Sequence, residues 1–212
     1  MCPSKVPDGE ARGWIIPIGG AEEKENDRAI LARFVELCGG AEADIVVIPT
    51  ASKLAATGPR YVEIFNELGV AKVESMDFDT RRDADEPRRV KRIHQATGVF
   101  FTGGNQLRLG TLLGGTAVAK AIRLCNASGT HVAGTSAGAA FLSEHMIAFG
   151  EEGPTPIAGM VRLAYVLVDD LDVVGGVEIG GEGREPQRRK EGVLDGAEEW
   201  AGGFGERRED EF

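Results

Sequence analysis

Cysteine is scarce in this chain: Cys2, Cys38 and Cys125 are too few and too widely separated for a disulfide framework or a zinc site. Long apolar runs are absent as well. No stretch approaches the roughly 20 residues of a membrane span, and the opening MCPSKVPDGEARG lacks the apolar core of a signal peptide. These gaps lead to the expectation of a soluble, cytoplasmic protein in a reducing compartment, with no membrane partner. Positive charge is also in short supply, 24 Lys and Arg against 34 Asp and Glu, for a net charge of −10. That balance works against phosphate-backbone binding, so nucleic acid is not an expected partner. An anionic ligand is not excluded, because a local arginine or a set of aimed backbone N–H groups decides that case.

What is present is enough for one sizeable core. The chain has 212 residues, 42% of them hydrophobic, which favours one principal domain. Strand-like runs at Trp14 to Ile18, Asp44 to Pro49, Val73 to Phe78, Val99 to Thr102 and His131 to Gly134 alternate with helix-period stretches. Those stretches are Asp27 to Cys38, Pro59 to Leu68, Glu86 to Gln95 and Ala117 to Asn126. The alternation predicts an α/β fold, doubly wound around a mostly parallel sheet. The expected domain covers residues 1–174. Tyr165 to Val174 is expected to be an edge strand at best, and the Gly/Glu/Arg-rich segment 175–212 a poorly ordered tail with little apolar surface to bury.

Small and polar residues gather where the predicted strands end, at Gly19-Gly20, Pro49-Thr50-Ala51-Ser52, Gly103-Gly104-Asn105 and Thr135-Ser136. Open α/β sheets place their ligands at that edge. Gly134-Thr135-Ser136-Ala137-Gly138 is a G-x-S-x-G nucleophile elbow between an apolar strand and a helix-compatible Ala139-Ala140-Phe141-Leu142. A sharp turn there lifts the Ser136 hydroxyl clear of the sheet and aims the Ala137 N–H where an oxyanion forms. An incidental serine in a small-residue turn gives the same five letters, but not the flanking strand and helix. Phe101-Thr102-Gly103-Gly104-Asn105-Gln106 runs from another strand into glycines at the same edge. It offers a second oxyanion donor at Gly104 and a substrate-facing Gln106; read alone, it is a βα turn whose Asn105 caps a helix.

These two motifs, in this order and spacing, resemble cyanophycinase. The likeness runs from about Gly13 to Leu163 and includes Ile-Pro-Ile-Gly-Gly at 16–20 and Val-Ile-Pro-Thr-Ala-Ser at 47–52. More distantly the chain is similar to the aspartyl dipeptidases of the same serine-peptidase family, whose fold is shared with class I glutamine amidotransferases. The resemblance implies a cytoplasmic exopeptidase acting on a polymer with an aspartate backbone and arginine side groups, releasing β-aspartyl-arginine dipeptides. By motif position it makes Ser136 the nucleophile, Gly104 and Ala137 the oxyanion donors and Gln106 a substrate contact. It calls for no cofactor and no metal. The partner is a peptide or polymer substrate, and a homodimer is allowed for.

A serine nucleophile needs a base within about 3 Å. Only His94, His131 and His145 are available. His131 opens the strand that ends at Ser136, about 16 Å away at roughly 3.3 Å per residue. His145, on a continuous helix, would lie about 13 Å along the axis and on the opposite face. His94 closes a helix near the amino edge, where a histidine favours the helix dipole. The resembled family takes its base from an Asp-Gln-His-Phe-like segment some forty residues after the nucleophile, followed by substrate-binding arginines. Here that stretch reads Val168-Asp169-Asp170-Leu171-Asp172-Val173-Val174. Truncation, a shifted reading frame or a diverged terminus each accounts for the difference, and weak or absent turnover is expected. A non-catalytic relative that binds aspartyl or arginyl peptides is the alternative. A nucleotide-binding protein is a third, disfavoured because neither Gly-Gly loop has phosphate-cradling spacing.

Overall fold

A computed structural model of the chain describes residues 4–20, 22–25 and 27–143. Five strands, β1 (Ile15–Ile18), β2 (Asp44–Ile48), β3 (Lys72–Ser75), β4 (Gly98–Phe101) and β5 (His131–Thr135), form one sheet in the order β1-β5-β4-β2-β3. Every pairing is parallel. The α/β class read from the sequence is therefore the observed one. Parallel strands are covered on both faces, and central ones correspondingly carry unbroken apolar runs. Ile45, Val46, Val47 and Ile48 of β2 and Val99, Phe100 and Phe101 of β4 are fully buried.

Alternate side chains divide between two cores. On one face α1 (Ala29–Leu37) and α2 (Thr57–Glu67) pack Leu31, Phe34, Ile64 and Phe65 against Ile45, Val47 and Phe100. An aromatic cluster centres there on Phe100, with Tyr61 at 5.0 Å and Phe65 at 5.3 Å between ring centroids. On the other face α3 (Pro87–Gln95), α4 (Gln106–Leu113), α5 (Ala117–Ala127) and α6 (Ala137–Leu142) supply Ile93, Leu109, Leu113, Val118, Ile122 and Phe141. Phe101 points to this side and meets Phe141 edge-on at 5.3 Å.

Local sequence explains most boundaries. Pro87 opens α3, where its missing N–H costs nothing. Asn105 and Thr116 cap α4 and α5, accepting from Leu107 N and Ala119 N. Arg81 closes α4 from outside by donating to Thr111 O at 2.7 Å and Gly114 O at 2.9 Å. Two expectations are adjusted. The third strand stops at Ser75 rather than Phe78: Met76 N still reaches Val47 O at 2.8 Å, but Phe78 N turns to Thr50 Oγ1 at 3.1 Å. Helix α4 had no separate place in the periodic reading; at eight residues with Gly110 inside, it shows only the Leu109/Leu113 pair as a buried stripe. The expected edge strand at Tyr165 to Val174, the domain boundary at 174 and the 175–212 tail lie outside the described residues.

Candidate active site

Strand β5 ends at Thr135 and α6 starts at Ala137, so the reversal is made by Ser136 alone. Its backbone sits at φ 50°, ψ −112°, and no other described non-glycine residue has positive φ. Such a conformation costs about 1–3 kcal/mol and persists only where its surroundings over-determine it. Here Ser136 N donates to Ile18 O at 2.9 Å, and Ser136 O accepts from Ala140 N at 3.0 Å. The flanking glycines let the helix lie directly on the sheet. A Cβ on Gly134 would stand 2.5 Å from the Gly138 carbonyl carbon, and one on Gly138 would stand 2.5 Å from Phe101 O. The serine itself is exposed, although Thr135 and Ala137 on either side are buried.

Two further glycine loops close around it. Gly20, at φ 97°, approaches so closely that a Cβ would be 3.1 Å from Ser136 Cβ and 3.6 Å from Oγ. From the β4 side, a Cβ on Gly103 would lie 3.4 Å from Ser136 Cβ. The next residue, Gly104, adopts φ 143° with its Cα against the Ala51 carbonyl, where a Cβ would be 2.2 Å from the oxygen. Asn105 N donates to that same carbonyl at 2.8 Å and fixes the loop. Gln106 is the first, half-buried residue of α4. Ser136, Ala137, Gly104 and Gln106, the four residues singled out from the sequence, thus all lie at the carboxyl edge of the sheet. As the first residue of a helix, Ala137 has an N–H without an intrahelical acceptor.

The histidines that are described stand elsewhere. His131 is the first residue of β5, paired in register with Gly98 at the amino edge; its Nδ1 accepts from Trp14 N at 3.0 Å. Burial lowers its pKa below 6.5, a hydrogen bond to the Leu37 backbone offsetting part of the shift. His94, in the last turn of α3, has Nδ1 3.2 Å from Cys125 Sγ. Neither reaches Ser136, and His145 lies outside the described residues.

One charged residue near the elbow was not anticipated. Glu22, in the loop after β1, is buried, and its carboxylate accepts from Thr135 Oγ1, Tyr61 OH and, at 2.9 Å, Lys24 Nζ. Burial raises its pKa, but the bonds from Thr135, Tyr61 and Lys24 together outweigh that and hold it below 4.5. Burial, reinforced by the Glu22 carboxylate, pushes the Tyr61 phenol well above its usual range. In the sequence Glu22 stands in the run Glu22-Glu23-Lys24-Glu25, which reads as a solvated loop; only the Gly19-Gly20 turn before it hinted at proximity to the site. Among the described residues no group of three or more His, Cys, Asp or Glu is placed to hold a metal ion, and no helix is long and apolar enough to cross a membrane.

Residues 15–169 match the model of peptidase family S51. Among curated proteins, the chain is 42% identical over 152 residues to a cyanophycinase of Nostoc sp., covering 71% of this chain and 51% of that protein. It is 39% identical over 158 residues to a cyanophycinase of Geminocystis herdmanii, covering 74% and 58%. The chain therefore spans about half the length of the curated relatives it matches. Among solved structures it resembles a peptidase from an acI-B1 Actinobacterium, with TM-score 0.55 and 27% identity over 65% of this chain and 59% of that one.

Proposed function

The chain belongs to peptidase family S51, and on that premise we propose that it is a serine-type peptidase acting on cyanophycin or a related β-aspartyl-arginine peptide. Ser136 Oγ attacks the scissile carbonyl, the C–N bond breaks, and the amine product leaves with the proton that the serine hydroxyl gives up. Water then cleaves the acyl-enzyme ester to a carboxylic acid and restores the Ser136 hydroxyl. Gly104 N and Ala137 N donate to the oxyanion, each worth about 3 kcal/mol of barrier lowering. Gln106 contacts the substrate. One observation carries the reading: a lone exposed serine held at φ 50° between a buried strand and a helix, with the Gly20 and Gly103 loops against its Cβ. That strain has no evident structural purpose, whereas it presents a hydroxyl to a substrate.

A second reading is a relative that binds such peptides without turnover. It is favoured by the position of His94 and His131, both held in contacts away from the elbow. Incubation of the full chain with a serine-reactive fluorophosphonate, followed by peptide mass spectrometry, separates the two. Labelling at Ser136 together with release of β-aspartyl-arginine from cyanophycin supports the peptidase. Binding of the dipeptide without labelling or release supports the second reading, and neither binding nor labelling defeats both.

A further inference from the structure

Glu22 carries more hydrogen bonds than its place in a surface loop requires. Its side chain is 1% exposed, and a carboxylate taken that far from water is costly unless every lone pair is engaged. An apolar residue of similar size would fill the space at lower cost, so stability alone does not account for it. The partners come from three separate segments: Thr135 is the last residue of β5, Tyr61 belongs to α2 and packs on Phe100 of β4, and Lys24 follows in the same loop. Thr135 is bonded directly to Ser136. Two residues before Glu22, Gly20 lies against Ser136 Cβ. The loop therefore touches the nucleophile at one end and grips the residue preceding it at the other.

We propose that Glu22 is a positioning residue for the nucleophile: by accepting from Thr135, Tyr61 and Lys24 it locks the loop after β1 onto the end of β5 and so holds the Ser136 backbone in its strained turn. This rests on the reading of Ser136 as nucleophile. Glu22 does not touch the reacting atoms. It acts through Thr135 on one side and Gly20 on the other. Directional, charge-assisted hydrogen bonds suit that task, because they fix geometry where apolar packing would tolerate a slide.

The test uses the full chain and the variants Thr135→Val, Thr135→Ser and Glu22→Gln. Three quantities are measured: the rate constant of fluorophosphonate labelling at Ser136 in the folded fraction, the urea midpoint, and hydrogen exchange of the peptide spanning 132–137. Thr135→Val keeps the shape and loses the hydroxyl; labelling should slow by about tenfold or more, since sub-ångström displacement of a reacting group is enough for that. Thr135→Ser restores the hydroxyl and should label within about threefold of the parent. Exchange at the Ser136 amide, which donates to Ile18 O, should quicken in the valine variant and not in the serine one. Equal labelling and exchange in all variants would overturn the proposal, as would a serine variant as slow as the valine one, because restoring the hydroxyl would then not restore the turn. If Glu22→Gln does not fold, the threonine pair decides alone. If the parent itself is not labelled, the nucleophile reading fails while the exchange comparison still judges whether Glu22 holds the turn.

Discussion

The two ends of the sheet use polar groups in opposite ways. At the amino edge they close the structure. Asp44 accepts from both Lys72 and Arg92, Arg92 also reaches Glu74 at 2.6 Å, and the Asn126 amide donates to Gly13 O at 2.8 Å and Thr130 O at 3.0 Å. His131 takes the Trp14 N–H. At the carboxyl edge the side chains are small and the backbone is turned outward: three glycine loops and a strained serine leave a hydroxyl exposed, with Glu22 buried behind it. Residue chemistry alone is a poor guide to where a site lies. The two described histidines, the side chains most often associated with catalysis, are fasteners here, and the candidate site is built mainly of glycine, alanine and serine.

The comparison is broken most directly at Ser136. Ser136→Ala should abolish fluorophosphonate labelling while leaving the urea midpoint near the parent value; labelling that persists at another serine would move the site. Gly138→Ala comes next. Its methyl would meet the Phe101 backbone oxygen at 2.5 Å, which cannot yield without shifting β4, and a loss of about 3 kcal/mol is expected by urea unfolding. His131→Ala should cost only about 1 kcal/mol, from the acceptor lost to Trp14 N, with the labelling rate unchanged. A large drop in labelling with this variant would mean that the amino edge is not merely structural.

The smallest effect is on pH dependence. Because burial depresses the His131 pKa below 6.5, the unfolded chain binds more protons than the native one once pH falls below that value. Stability present above 6.5 is therefore lost as pH falls through the folded value. Glu22, held below 4.5, adds a second loss as pH drops beneath 4.5 toward its own folded value. Thermal midpoints scanned against pH should show the first decline flattened in His131→Ala and the second retained. An unaltered first decline would assign it to another group.

Much of this was legible in the sequence because the determining features are local. A parallel strand buried on both faces reads as an unbroken apolar run, as in Ile45 to Ile48, and a nucleophile elbow declares itself through glycines two residues either side of a serine. Helix α4 was less legible, since eight residues with a glycine inside carry barely two turns of pattern. Glu22 was barely legible, with only the Gly19-Gly20 turn before it as a pointer. Its burial is created by Tyr61 and Thr135, 39 and 113 residues away, and no local pattern distinguishes it from Glu23 or Glu25.

The strand order also bears on how copies of the chain can meet. Among the described residues the sheet ends in β1 on one side and β3 on the other. Pro17, exposed within β1, has no N–H to offer a neighbouring strand. On β3, exposed Lys72 and Glu74 alternate with half-buried Val73 and Ser75, and Lys72 and Glu74 are already tied to Asp44 and Arg92. Both rims thus carry devices that discourage edge-to-edge stacking and the fibrous aggregation it seeds. A second copy that extended the ladder across either rim would have to undo them.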